Sequence, residues 1–472
     1  MVAITDTDMG LGDRAFLGHP RGLAWLCFTE VWERFSYYGM QVLLVLYLTH
    51  QLLHRGHIEH ILGFGPFRAA IEAVYGPLSP QALASAIFGF YAGLVWFTPI
   101  LGGWLGDQVI GRTRAVTVGA VLMVIGHFAM AFDFSFLIAM TCLLIGVGCF
   151  KGNLAGQVSA LYGRNDPRVA DAFQFYLFGI QIAVIVSPLV CGTLGETLGW
   201  HWGFGAAGVG MLIGLITYLS GRRWLPPEPP VRRRGAQAAP KLADDDRRRI
   251  AMLLLFIPLL ALASIGNNQT GNSYLIWAET TLDRDILGFM VPTTWLFSLE
   301  SVFTAVAIVV SVAFWRWRAK RHGQTAELTK MAVGAVIGCV APAFLAMASQ
   351  IAATTGHKAA FAWAPAMAVF NELGWANLFV PALAMFSRVS PKALNATMIG
   401  AFYLNVFLSN MLIGYLGGWL EKMSGAAFWM MHVAIMIPAS VLLLLLVRPA
   451  RRVFAGSDAK MADGAAPVAA LP

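Results

Sequence analysis

Apolar stretches long enough to cross about 30 Å of hydrocarbon recur near residues 22–49, 82–105, 115–132, 134–160, 172–195 and 202–220. A second series follows near 250–279, 289–315, 331–353, 360–386, 393–420 and 426–447. The pattern predicts twelve membrane-spanning helices, spans one to twelve, of which the seventh is the least regular because Gly266-Asn267-Asn268-Gln269-Thr270-Gly271-Asn272 interrupts it. Between the series, residues 221–249 carry Pro226-Pro227-Glu228-Pro229-Pro230, Arg232 to Arg234, and Asp244-Asp245-Asp246-Arg247-Arg248-Arg249, which read as a flexible cytoplasmic linker. The expected organisation is a six-helix bundle over 1–220, a linker over 221–249, a second bundle over 250–452, and a disordered tail over 453–472 rich in Ala, Gly and Pro. Two such bundles in one chain commonly enclose a substrate site near the bilayer midplane.

Span one departs most from an apolar pattern. Glu30, Glu33 and Arg34 stand inside it, and with Tyr37 and Gln41 they fall within about 100° of one another on a helix. Each ionised group at the centre of a membrane helix costs about 2.5–3.5 kcal/mol on insertion scales. Mutual pairing must offset much of that, so the stripe is expected to face protein or water rather than lipid.

Composition sharpens the class. The 472 residues are 58% hydrophobic and 12% charged, about half the charged fraction of a soluble protein, with a mean hydropathy of +0.66. Residues 1–17 contain Asp6, Asp8 and Asp13 and no apolar core, so no cleavable signal peptide is expected and span one is retained. Arg112 and Arg114, Arg164 and Arg168, the basic linker, Arg316 to Arg321, and Arg388 with Lys392 follow the even-numbered spans. The positive-inside rule then places both termini in the cytoplasm of a multi-pass plasma (inner) membrane protein. The net charge of +8 is accounted for by loops that meet anionic headgroups, and no nucleic-acid partner is expected. The cysteines Cys27, Cys142, Cys149, Cys191 and Cys339 all lie in apolar spans without zinc spacing and read as small buried hydrophobes. His50, His54, His57 and His60 cluster beyond span one; with Arg55 beside them they read as a solvated face rather than a metal site. Residues 62–80 are compatible with an amphipathic extracytoplasmic segment or a plain surface loop. HExxH, Walker A and GxSxG signatures do not occur in usable settings, so no enzymatic activity, metal or cofactor is expected.

Gly102-Gly103-Trp104-Leu105-Gly106-Asp107, followed by Gly111-Arg112-Thr113-Arg114, resembles the signature loop of the major facilitator superfamily. Gly18-His19-Pro20-Arg21-Gly22-Leu23 and the ExxERFxYY run from Glu30 to Tyr38 resemble the start of the proton-dependent oligopeptide transporter (POT) family. The similarity continues through Thr98-Pro99, Lys151-Gly152-Asn153, Asp166-Pro167-Arg168, Phe175-Tyr176 and Gly199 to Gly205, and thins to Asn371-Glu372-Leu373, Ser390-Pro391-Lys392 and Gly417-Gly418. The resemblance implies an all-α membrane protein of the major facilitator fold, acting as a monomer in proton-driven symport of di- and tripeptides by alternating access. It implies proton coupling at Glu30, Glu33 and Arg34, and substrate contacts at Arg34, Tyr37, Tyr38, Lys151, Gln181, Asn268 and Glu372. Within that set, Lys151 would face a peptide carboxylate and Glu372 a peptide amino group. Protons are the coupling ion.

Departures from the family pattern bear on cargo and coupling. In span seven an acid commonly precedes the Gln; here Asn268-Gln269 stands there, and no carboxylate occurs between Asp246 and Glu279. In span eight, Ser298-Leu299-Glu300-Ser301 places an added carboxylate, so Glu300 is a candidate replacement in proton coupling. Trp96 stands where Tyr is frequent and Gln181 where Asn is usual. A non-peptide substrate and an uncoupled transporter-like sensor therefore remain open alternatives.

Overall fold

A computed structural model describes residues 13–163, 166–225, 244–391 and 394–462. The segment 226–243 of the expected linker, Arg164, Lys392 and residues 463–472 of the expected tail lie outside the described residues. The last helix, Gly425–Ala462, extends into the segment expected as tail.

A helix occupies each expected window. Nine described helices are long and apolar enough to cross a membrane, and the bent pair Asp244–Ala263 and Ile265–Gly271 makes ten. Span one, Arg21–Tyr47, and span three, Arg112–Ala129, are not among those ten. The first carries Arg21, Glu30, Glu33 and Arg34 in its length, and the second opens on Arg112 and Arg114. Charge lowers their mean hydropathy without stopping them from forming helix, because backbone hydrogen bonds are satisfied locally.

Span seven bends by 52° where the polar run begins. The cause lies in the side chains. Asn268 Nδ2 donates to Ser409 Oγ at 2.9 Å and to the Ser264 carbonyl at 3.1 Å, while Gln269 Nε2 lies 3.0 Å from His432 Nε2. These bonds satisfy the amides, and at the break itself Ser264 Oγ donates to the Ala261 carbonyl at 3.2 Å, where it competes with the helical ladder.

By contacts the chain divides into two compact units. The first comprises Met1–Gly235, Thr270–Val302 and Ile413–Lys422, and the second Ala236–Gln269, Phe303–Leu412 and Met423–Pro472. In the first unit, spans two and four approach backbone to backbone: a Cβ at Gly102 would collide with the Gly148 carbonyl, and one at Gly106 with the Asn153 side chain. Asn153 Nδ2 donates to the Gly102 carbonyl at 2.9 Å across the same crossing. Gly152 has room for a side chain, with the nearest atom 3.6 Å away, so of the glycines at 148 and 152 the close contact belongs to Gly148.

Also within the first unit, the ends of spans seven, eight and eleven opposite the basic loops pack onto spans one, two and five. The Glu196 carboxylate accepts from the Thr293 and Thr294 backbone N–H groups, both at 2.8 Å, and from Thr294 Oγ1 at 2.6 Å. The Trp295 indole N–H donates to Thr193 Oγ1 at 2.7 Å, Ser298 Oγ donates to the Ile185 carbonyl at 2.7 Å, and Ser79 bonds Glu421. His50 Nε2 lies 2.7 Å from Glu279 Oε2, and the hydrogen bond to that carboxylate pushes the exposed His50 imidazole above its ordinary pKa. His57 pairs with Asp133 at 2.5 Å and His54 bonds the Thr49 carbonyl at 2.8 Å, so these histidines find separate partners. Among the described residues no His, Cys, Asp and Glu grouping suited to a metal occurs. The segment after them forms a helix, Phe64–Tyr75, that buries Phe64 and Ile71.

The second unit has its own apolar core, in which Phe256, Met331, Met385, Phe386, Phe402 and Leu443 are buried together. Spans nine and ten cross closely there, because a Cβ at Gly334 would meet the Asn377 and Leu378 backbone at 2.5 Å.

Candidate functional site

The charged stripe of span one is buried. Arg34 Nε lies 3.0 Å from Glu30 Oε1 and 2.5 Å from Glu33 Oε2; Glu30 is 2%, Glu33 0% and Arg34 3% exposed. Positions i, i+3 and i+4 of one helix make this possible: Glu30 and Arg34 are one turn apart, and Glu33 precedes Arg34 on the same flank. A guanidinium serving two carboxylates balances one of them by charge. The second cation nearby is the half-buried Lys151 of span four, which interacts electrostatically with Glu33 and Glu30. Its ammonium sits 3.5 Å from the Trp96 ring centroid, a cation–π contact that holds the charge without using up the cation in an ion pair. Glu30, Glu33, Arg34 and Lys151 thus form an electroneutral group when all are ionised.

Aromatic hydroxyls surround this group. The Arg34 guanidinium lies 5.5 Å from the Tyr37 ring centroid, and Tyr37 and Tyr38 meet edge to face with centroids 4.9 Å apart. Tyr38 also packs at 6.0 Å against Phe297 of span eight. Two residues that sequence reasoning did not assign to the site join it: Tyr176 of span five interacts with Glu30, and Tyr91 of span two lies within the field of Glu33 and Arg34. The available signal was a lone hydroxyl in an apolar helix, which costs free energy unless a polar partner faces it. Gln181 is half-buried on span five.

Glu300 is buried in the first unit, 4% exposed, and interacts electrostatically with Tyr274. Tyr274 belongs to span seven, so the span-eight carboxylate stands against that helix.

Glu372 belongs to the second unit and is described within it. It is 4% exposed and held by Asn267 Nδ2 at 3.0 Å, Asn371 Nδ2 at 2.8 Å and Thr304 Oγ1 at 2.6 Å. Spans seven, eight and ten each supply a donor or the carboxylate itself. This pre-organises an anion. Asn268, expected beside substrate, turns its amide to Ser409 and Ser264; Asn267 is the residue of that run that reaches Glu372.

A family model described as the POT family matches residues 113–242 and 231–430. The chain belongs to the POT family. It is a multi-pass membrane transporter rather than an enzyme, built on the major facilitator fold. Over 520 aligned residues it is 27% identical to a protein named peptide transporter YePEPT from Yersinia enterocolitica subsp. palearctica serotype O:3 (strain YE-P4), covering 93% of this chain and 96% of that one. It is 36% identical over 213 residues to a di-/tripeptide transporter of Lactococcus lactis subsp. lactis (strain IL1403), covering 44% of this chain and 39% of the relative. In three dimensions it resembles a mutant of a peptide transporter POT in complex with alafosfalin, with a TM-score of 0.79 and 24% identity over 94% of this chain and 97% of that one. It likewise resembles a POT family transporter in complex with 5-aminolevulinic acid, with a TM-score of 0.78 and 21% identity over 93% and 98% of the two chains.

Proposed function

We propose that this protein is a proton-driven symporter that imports di- and tripeptides or peptide-like compounds by alternating access. It works as a monomer in the plasma (inner) membrane, with both termini in the cytoplasm. The observation that carries this reading is the buried group of Glu30, Glu33 and Arg34 with Lys151 beside it. Four charges that neutralise one another inside a membrane are sensitive to any fifth. A peptide carboxylate drawn to Lys151 leaves the group with one negative charge too many, and a proton on Glu33 or Glu30 restores neutrality. Proton and substrate then arrive together. Glu372, whose lone pairs are fixed by Asn267, Asn371 and Thr304, serves a peptide amino group, and Tyr37, Tyr38 and Gln181 serve the polar backbone of the substrate. No cofactor beyond the proton is required.

The test is concentrative uptake of a radiolabelled dipeptide into proteoliposomes under an imposed inward proton gradient. Accumulation that collapses with a protonophore is expected. Binding without flux would identify a sensor instead. A second reading, a POT-like transporter of a non-peptide substrate, is favoured by Trp96 lying over the Lys151 ammonium, since the ring narrows access to that cation; it predicts competition by small zwitterions or other compounds but not by peptides.

Glu300 acts in this reading as the proton acceptor that replaces the missing acid of span seven, against which it stands at Tyr274. Glu300→Gln is expected to lower gradient-driven uptake by about tenfold or more while leaving substrate counterflow intact, a split that corresponds to at least about 1.4 kcal/mol on the coupled step. Unchanged gradient-driven uptake in that variant would remove Glu300 from the mechanism.

A further inference from the structure

Spans eight, nine and ten of the second unit enclose a cavity of about 280 Å³ that is separate from the charged groups described above. Its floor is apolar, built from Ile308 and Val312 of span eight and Val380 of span ten. Val312 is 45% and Val380 47% exposed, so the floor opens outward between helices that face hydrocarbon. The mouth is cationic. Arg316, near the end of span eight, and Lys330, in the first turns of span nine, both line it.

The cations sit on a fixed wall. The Trp315 indole N–H donates to Asn377 Oδ1 at 2.6 Å, and the buried Asn377 amide donates in turn to Ser311 Oγ at 2.8 Å. The Lys330 ammonium lies 5.6 Å from the Trp315 ring centroid. Glu327, one turn before Lys330, is engaged by Arg388 at 2.6 Å. Among the described residues neither Arg316 nor Lys330 is within ion-pair distance of a carboxylate. Arg318 is turned away to Thr325 Oγ1, and Arg321 lies over Trp317. Two cations are thus left at the mouth of an apolar groove, beside Trp315, and tryptophan with basic residues is the composition found where hydrocarbon meets headgroups.

We propose that this groove binds an anionic phospholipid of the cytoplasmic leaflet, with its phosphate between Arg316 and Lys330 and the upper part of one acyl chain along Ile308, Val312 and Val380. The combination selects the occupant. A soluble anion would satisfy the mouth and leave the floor bare, whereas a zwitterionic lipid would fill the floor but bring a choline or ethanolamine cation to the two basic residues. The basic loop between spans eight and nine puts the groove on the cytoplasmic side by the same positive-inside reading used for topology. Lipid binding requires no particular substrate, so its test is independent of transport.

The experiment is native mass spectrometry of the full chain taken from bilayers of equal phosphatidylglycerol and phosphatidylcholine. Preferential retention of phosphatidylglycerol is expected. Arg316→Gln with Lys330→Gln should lower that preference about tenfold or more, and Ile308→Trp, which fills the floor and leaves both charges, should release the lipid as well. Arg222→Gln with Arg223→Gln, which removes basic residues elsewhere on the basic side, should leave the preference unchanged. Thermal melts confirm that each variant is folded, and Val380→Trp replaces Ile308→Trp should the latter not fold. Equal retention of the two lipids, a preference that survives loss of Arg316 and Lys330, or equal loss in the Arg222 and Arg223 variant would overturn the proposal. Displacement by soluble glycerol phosphate would overturn it too, by assigning the site to a free anion.

Discussion

Arg34→Leu is expected to destabilise the folded protein by about 3–5 kcal/mol, the range for removing one member of a buried ion cluster, and to abolish proton-driven uptake. Arg34 is paired with Glu30 and Glu33, all nearly inaccessible to solvent, so the variant leaves two carboxylates facing one another with, among the described residues, Lys151 as the cation that acts on them. Lost activity alone would be ambiguous, because misfolding gives the same result. Neutralising the cluster as a whole separates the two effects. Glu30→Gln, Glu33→Gln, Arg34→Met and Lys151→Met together remove every charge of the group at similar volume, an exchange that is often neutral or stabilising for buried ion groups. The quadruple variant should therefore melt near the parent temperature and still fail to concentrate substrate under a proton gradient. If it melts normally and retains gradient-driven uptake, the cluster is structural and proton coupling resides elsewhere.

The second large effect is expected at Glu372. Asn267, Asn371 and Thr304 all donate to its carboxylate, so Glu372→Ala leaves them facing a void at about 1–3 kcal/mol for each buried donor that finds no substitute. Glu372→Gln is the cleaner variant. It keeps the shape and removes the charge, and a charge-assisted hydrogen bond to a substrate ammonium is worth about 1.5–3 kcal/mol, so affinity for free-amine dipeptides should fall roughly 10- to 100-fold. An N-acetylated dipeptide, which has no ammonium to lose, should discriminate much less between parent and variant. Equal affinity of the Gln variant for the free-amine dipeptide, measured by thermal shift or isothermal titration, would exclude Glu372 as the amine partner and leave the fold assignment untouched.

The two sites differed in how legible they were. Glu30, Glu33 and Arg34 lie within one turn and a fraction of a single helix, so helical periodicity alone placed them together, and the cost of charge in hydrocarbon required them to pair. Glu372 was recognisable as an intramembrane acid, yet its donors come from residues 267, 304 and 371. No local rule brings those positions to one point. The same holds for Tyr91 and Tyr176, which are isolated hydroxyls in their own spans and become members of the site only because spans two and five stand against span one. The polar run at Asn267 to Asn272 was a visible irregularity, and the 52° bend just before it falls at Ser264, whose hydroxyl bonds the Ala261 carbonyl. Asn268 illustrates the limit: its side chain was legible as polar, while its direction toward Ser409 depends on span eleven.

The sequence by itself determined the membrane class, the succession of spans and the polar stripe in the first helix. These follow from hydropathy and helical periodicity, which are set by residues close together in the chain. Tertiary structure alone decided which pieces pack as one body: residues 270–302 and 413–422 join the first unit, although they lie beyond the linker. It also decided that Glu300 stands beside Tyr274, that three polar side chains converge on Glu372, and that Arg316 and Lys330 share an apolar groove. Those outcomes depend on close approach at positions such as Gly102 and Gly334, where one added Cβ has no space, and on buried polar groups finding partners across distant spans.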